Sequence, residues 1–221
     1  MTSTYKAFIF DLNGTMINDM EYHTRAWSQL LNDELGGNFT WDEVKRQMYG
    51  KNPEVLIRMF GPDKFTMDEM VNLSLEKEKR YQQEYFNKLA LLPGLPQFLE
   101  TAYKKGIPMA IGSAAIPFNI DFVLDNLKIR HYFKAIVSAD NVILSKPNSE
   151  TYDKVAALLG IESQHCLVFE DVPKGAEAAM NSGMDCVILT TTHHPEEFEG
   201  MPNVLKTAAD FTDQFIRDLV G

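Results

Sequence analysis

The sequence predicts a doubly wound, mostly parallel α/β sheet with an inserted all-helical domain. Three observations carry that prediction. Short apolar runs alternate with helical patterns through most of the chain. The alternation breaks once, directly after the first run, where residues 17–90 show helix signals and no strand pattern. Successive apolar runs also end in polar residues capable of chemistry, as strands of such sheets do at their carboxyl ends.

The first run, residues 6–10, stops at Asp11 and is followed by Leu12-Asn13-Gly14-Thr15. That is the pattern of a buried strand presenting a carboxylate at its end. Asn13 faces the same region and is an amide, unable to shuttle a proton. Within the helical insertion, Thr40-Trp41-Asp42-Glu43 and Thr66-Met67-Asp68-Glu69 are capping boxes. Asn52-Pro53 places a cap before a proline at the first helical position. Trp27, Met59, Phe60, Met70 and Leu73 are expected to pack inside the insertion. The run Glu76-Lys77-Glu78-Lys79-Arg80 reads as an exposed helix face, from which Lys77 or Lys79 could reach a phosphate. Leu92-Pro93-Gly94 marks the return. The expected division is residues 1–16 with 91–221 as the α/β core, and 17–90 as a cap placed to close over the end of the first strand.

After the return, Leu95, Phe98, Leu99, Ala102 and Tyr103 recur at helical spacing up to Gly106. A strand over 108–112 ends at Ser113, with Ala114 beside it, and a helix follows over 119–127. A strand over 135–138 leads into Leu144-Ser145-Lys146-Pro147 and a helix over 149–159. A strand over 166–169 ends at Glu170-Asp171, before a helix over 173–182. The last predicted strand covers 186–189. His193-His194 after it reads as a solvated loop, because no partner of metal-ligand spacing lies near.

With 221 residues and 45% hydrophobic content, the chain can bury a sizeable core plus a smaller unit. A net charge of -10 argues against a nucleic-acid footprint, which needs clustered Lys and Arg. Its two cysteines, Cys166 and Cys186, lie in apolar runs and suit buried, reduced thiols. No apolar run is long enough to span a bilayer, and no charged leader precedes the first strand. A cytoplasmic protein, favoured as a monomer and binding neither nucleic acid nor membrane, is expected.

Asp11, Ser113, Lys146 and Glu170-Asp171 thus converge on one region, and their types suit phosphoryl transfer. An aspartate can be the nucleophile and form an aspartyl-phosphate. Mg²⁺ held by Asp11 and Asp171 would shield nucleophile and phosphate from each other. Ser113 can donate to a phosphoryl oxygen, and Lys146 supplies positive charge. Singly, each has an ordinary alternative: Asp11 or Ser113 as a helix cap, Lys146 as a solvated loop residue, Glu170-Asp171 as favourable charges at a helix start. Their order, each after a strand, favours the site.

The ordered motifs Phe10-Asp11-Leu12-Asn13-Gly14-Thr15, Ile111-Gly112-Ser113, Ser145-Lys146-Pro147 and Phe169-Glu170-Asp171 resemble the haloacid dehalogenase superfamily of phosphotransferases. Glu21-Tyr22-His23-Thr24-Arg25-Ala26-Trp27 is similar to the cap opening of β-phosphoglucomutases and related sugar-phosphate phosphatases. The resemblance implies Asp11 as nucleophile and Mg²⁺ bound by Asp11, the Asn13 carbonyl and Asp171, with Glu170 nearby. It implies Ser113 and Lys146 on the transferring phosphoryl group, and His23 approaching the acid/base position from the cap.

Two departures qualify the resemblance. Asn13 stands where the family has a second aspartate that donates and accepts the catalytic proton, so the chain as written is expected to be slow. Pro53, in Tyr49-Gly50-Lys51-Asn52-Pro53-Glu54, lies near where the mutases have an arginine for the distal phosphate. Lys51, Arg58, Lys77 and Lys79 are the remaining cations for that role. The expected function is a Mg²⁺-dependent phosphatase of a small phosphorylated metabolite such as a sugar phosphate. The alternatives are a phosphohexomutase, or a low-activity binder of phosphate ligands.

Overall fold

Every residue of β1 (Ala7–Phe10) is buried, which explains its unbroken apolar sequence: the strand is covered on both faces. The structure, a computed structural model, describes residues 5–221. It contains β2 (Met109–Gly112), β3 (Phe133–Val137), β4 (Cys166–Glu170), β5 (Asp185–Leu189) and β6 (Val204–Ala208). The six strands form one sheet in the order β3-β2-β1-β4-β5-β6, and every neighbouring pair is parallel. The order reverses direction at β1, so the crevice beyond its carboxyl end is where ligands bind in sheets of this kind.

Side-chain alternation separates two cores. Phe8 and Phe10 point to one face and pack with Phe98, Phe169 and Phe211, the rings of Phe10 and Phe169 stacking at 5.0 Å. Ala7 and Ile9 point to the other, among Ala110, Val137, Tyr152, Val155, Val168 and Ala176. The covering helices are α5 (Leu95–Lys104), α6 (Pro117–Asn126), α7 (Glu150–Leu159) and α8 (Pro173–Asn181), with the short α9 (Gln214–Asp218) near the end. Cys166 and Cys186 are buried free thiols, and burial pushes the Cys166 thiol up to about 11.

The chain divides into two compact units, residues 5–18 with 90–221 and residues 19–89. Where the chain leaves and re-enters the α/β unit, Ile17 forms an antiparallel bridge with Leu91, and Leu92 N–H donates to the Met16 carbonyl at 2.9 Å. The second unit is helical throughout: α1 (Met20–Ser28) continuing into a wider π-helical turn over Gln29–Glu34, α2 (Trp41–Gln47), α3 (Asn52–Phe60) and α4 (Met67–Tyr85). Trp27, Leu30, Leu31, Val44, Val55, Leu56 and Met70 form its core, with Met59, Phe60 and Leu73 against them. Both capping boxes form: Glu43 and Glu69 accept from the backbone of Thr40 and Thr66 at 2.8 Å, and each threonine hydroxyl accepts in return. None of the described helices is long and apolar enough to cross a membrane.

Three local expectations are corrected. The helix α3 begins at Asn52 itself, with Lys51 preceding it; Glu54 caps the Lys51 N–H at 3.1 Å, and the Asn52 side chain instead donates to Glu78 Oε1 at 2.6 Å. Residues 76–80 are an exposed face only in part: Glu76 and Lys79 are exposed, but Lys77 and Glu78 are buried. Lys77 and Glu78 fall on the stripe Met70, Ser74, Lys77, Glu78, Tyr81, Tyr85, which α4 buries at helical spacing. Finally, β6 was not foreseen. As an edge strand it is only half covered and carries Lys206, so it has no continuous apolar run.

Candidate active site

Four chain segments meet at the carboxyl end of the sheet. Asp11 follows β1, its N–H donating to the Phe169 carbonyl of β4 at 3.0 Å. Ser113 follows β2 and is fixed by its N–H on the Val137 carbonyl at 2.9 Å. Its hydroxyl accepts from Ala115 N–H at 3.1 Å, while Ala114 between them is exposed. Lys146 arrives on the connection from β3 to α7, and Glu170 closes β4 with Asp171 beside it.

Lys146 ties these together. Its ammonium donates to Asp11 Oδ1 at 2.7 Å, to Glu170 Oε1 at 2.6 Å and to the Gly112 carbonyl at 3.1 Å. It is only 9% exposed, so it is no solvated loop residue. Burial acts to lower its pKa, but Asp11 and Glu170 outweigh this and hold Lys146 above the usual lysine range. Tyr152 of α7 supports the same centre, its hydroxyl donating to Glu170 Oε1 at 2.7 Å and its ring lying 4.7 Å from the ammonium.

Glu170 is fully committed by these bonds. Its Oε2 accepts from the backbone N–H groups of Asp171 at 3.0 Å and Val172 at 3.4 Å. Gly175 makes room for it: a Cβ there would lie 2.0 Å from Glu170 Oε1. Alanine normally favours a helix over glycine by about 1 kcal/mol. Here the carboxylate cannot retreat, so Gly175→Ala is expected to destabilise the protein by roughly 1–3 kcal/mol, the cost of overpacking. Urea denaturation measures this, and wild-type stability would mean that Glu170 is free to move.

Asp171 is confined differently. Thr15 donates to Oδ1 at 3.1 Å, and Thr192 donates to Oδ2. Gly14, at φ +79°, packs so closely that a Cβ would lie 2.1 Å from Asp171 Oδ2. Burial, with Glu170 and Asp11 nearby, raises Asp171 well above the usual carboxylate range, against the lowering effect of the two threonines.

Asp11, Glu170 and Asp171 each bring an oxygen within 4.8 Å of the others, the one such group of potential metal-ligating side chains among the described residues. Three carboxylates face one ammonium there. A divalent cation with a preference for oxygen fits this set, and Mg²⁺ suits sites of one or two carboxylates completed by substrate phosphate. With Glu170 engaged, Asp11 and Asp171 are the carboxylates best placed to hold it. Asn13 lies in the turn after β1, half-buried, in a backbone bridge with Ile17.

The remaining predicted residues belong to the helical unit. His23 stacks on Tyr81 at 3.7 Å, with Nε2 3.3 Å from Asp19 Oδ2. Lys77 is buried, its ammonium 2.6 Å from His23 Nδ1 and 3.0 Å from Glu78 Oε1. Lys51 is half-buried ahead of α3. Arg58 donates from Nη2 to the carbonyls of Gln47 and Tyr49 and lies 3.8 Å over the Tyr49 ring, so it clamps its own loop.

Sequence reasoning missed Tyr152, Thr191 and Thr192, and gave Thr15 no role. The run Thr190-Thr191-Thr192 directly after the apolar end of β5 was the available signal, since it occupies the same place on its strand as Ser113 does on β2.

Residues 8–189 match the family model described as haloacid dehalogenase-like hydrolase. A fructose-1-phosphate phosphatase of Escherichia coli is 28% identical, over 85% of this chain and 97% of its own. A beta-phosphoglucomutase of Bacillus subtilis is 31% identical over 82% of each chain. Among solved structures, a family IA hydrolase of the same superfamily from Entamoeba histolytica superposes with a TM-score of 0.85 at 23% identity, covering 97% of both chains. A beta-phosphoglucomutase from Clostridium difficile gives 0.82 at 23% identity, over 98% of this chain and 97% of that one. These two structures share the fold.

Proposed function

Because the chain belongs to the haloacid dehalogenase-like hydrolase family, we propose that it transfers a phosphoryl group through Asp11, with Mg²⁺, from a small phosphorylated metabolite such as a sugar phosphate to water. The observation that carries this reading is the buried Lys146 ammonium between Asp11 and Glu170, with Asp171 in the same carboxylate group.

Asp11 attacks phosphorus with a carboxylate oxygen. The bond to the leaving oxygen breaks, and an aspartyl-phosphate forms. Lys146, donating to Asp11 Oδ1, orients the nucleophile and meets the phosphoryl charge as it moves. The Ser113 hydroxyl donates to a phosphoryl oxygen, with the backbone at Ala114 beside it. Mg²⁺, held by Asp11, Asp171 and the Asn13 carbonyl, would neutralise charge on the phosphoryl oxygens. Glu170 acts through its partners, fixing Lys146. Water then cleaves the aspartyl-phosphate, releasing inorganic phosphate and restoring the Asp11 carboxylate. Because Asn13 can neither give nor take a proton, the leaving oxygen takes its proton from solvent and the attacking water gives one up to solvent, which makes the chain slow.

A phosphohexomutase is the second reading, favoured by the 31% identity to the Bacillus subtilis beta-phosphoglucomutase. Against it, Pro53 offers no charge for a distal phosphate, and Arg58 is engaged by backbone carbonyls. Phosphorus NMR of the Asn13→Asp protein with Mg²⁺, β-glucose 1-phosphate and a bisphosphate primer separates the two. Net release of inorganic phosphate is expected. Build-up of glucose 6-phosphate without free phosphate would replace the phosphatase with the mutase. Failure to turn over any of a panel of phosphate esters, even with Asn13→Asp, would leave a binder of phosphate ligands.

A further inference from the structure

Thr192 lies outside every motif that carries the family resemblance, yet it holds the charge centre. It follows β5 in the run Thr190-Thr191-Thr192. Thr191 donates its hydroxyl to the Gly14 carbonyl, in the loop after β1. Thr192 donates to Asp171 Oδ2, after β4. Two successive hydroxyls therefore join the β5 loop to both halves of the carboxylate site.

The hydrogen-bond inventory fixes how Thr192 is used. A hydroxyl has one proton and two lone pairs. Three atoms surround this one: Asp171 Oδ2, the Asp171 carbonyl at 3.1 Å, and His193 Nδ1 at 2.9 Å. The carbonyl can only accept, and both Asp171 carboxylate oxygens accept, Oδ1 from Thr15 and Oδ2 from Thr192. The proton goes to Oδ2, the nearer of the two acceptors. His193 Nδ1 must then carry a hydrogen and donate to Thr192 Oγ1. The result is a directed chain, His193 Nδ1–H to Thr192 O–H to Asp171 Oδ2. Asp171 cannot rotate out of it, because Thr15 holds Oδ1 and Gly14 closes the remaining side.

We propose that Thr192, oriented by His193, is a positioning residue that sets the Mg²⁺ affinity of the site by fixing the Asp171 carboxylate; this rests on the metal reading above. A ligand held in its binding orientation needs no reordering when the cation arrives. Partners of this kind are worth roughly 10- to 100-fold in metal affinity.

The test is calorimetric titration of the whole protein with Mg²⁺ in the absence of substrate. Thr192→Val keeps the shape and removes the hydroxyl, and is expected to bind Mg²⁺ roughly 10- to 100-fold more weakly. Thr192→Ser restores the hydroxyl and should bind as the wild type does. If the valine variant fails to fold, Thr192→Ala against Thr192→Ser makes the same comparison, with metal-free melting as the control. Nitrogen-15 NMR of the histidines should show a hydrogen on His193 Nδ1 in the wild type. Wild-type affinity in the hydroxyl-free variants would overturn the positioning role and leave the metal reading intact. No Mg²⁺ binding by the wild type would overturn both.

Discussion

Replacing Lys146 with methionine is expected to destabilise the metal-free protein by roughly 3–5 kcal/mol, the range for breaking a buried ion pair by removing one partner. Lys146 is the ammonium between Asp11 and Glu170, and Asp171 lies with them. Methionine fills similar volume, so packing changes little and the loss is electrostatic. The carboxylates then face one another with no cation between them. Urea denaturation with a chelator present measures the effect. Added Mg²⁺ should recover part of it, since a cation bound only by the folded state stabilises that state by mass action. The variant should also lose phosphoryl transfer, because no ammonium then meets the charge of the transferring phosphoryl group. A loss under about 1 kcal/mol would mean that the ammonium contributes less to the folded state than breaking a buried pair costs.

Asn13→Asp is expected to raise turnover of hexose phosphates by roughly 10²-fold or more, the return from a positioned general acid and base. The substitution is nearly isosteric. The turn around it is closed by backbone, through the Asn13–Ile17 bridge and the Gly14 N–H on the Ile17 carbonyl at 2.9 Å, so the site should keep its shape. Phosphate release at saturating Mg²⁺ is the measurement. Mg²⁺ affinity should change far less than turnover, as position 13 is proposed to meet the metal through its carbonyl. Equal turnover of the two forms would place the proton on another group, with His23 the first to test.

The doubly wound sheet and the main charged residues were legible in the sequence for a local reason. A central strand of a parallel sheet is covered on both sides, so residues such as Phe8, Ile9, Val168 and Ile188 form unbroken apolar runs, and whatever ends the run lies at the functional edge. Asp11, Ser113 and Glu170-Asp171 were found that way. The edge strand β6 had no such signature. Tyr152 and Thr192 escaped because their partners, Glu170 and Asp171, are distant in the chain and meet them only through the fold. Lys77 was misread because charge alone marks a helix face as wet, whereas its place on a stripe with Ser74 and Tyr81 marks it as buried.

The bridge between Ile17 and Leu91 bears on how the helical segment is joined to the chain. The two crossings of the chain are already stitched together on the α/β side, so that unit's boundary is sealed whatever lies between them. A short turn joining residues 18 and 90 is expected to keep the six strands in register, because the pairing of Ile17 with Leu91 lies outside the excised segment. The helical segment thus has the connectivity of a cassette, entered and left at adjoining points of the α/β unit.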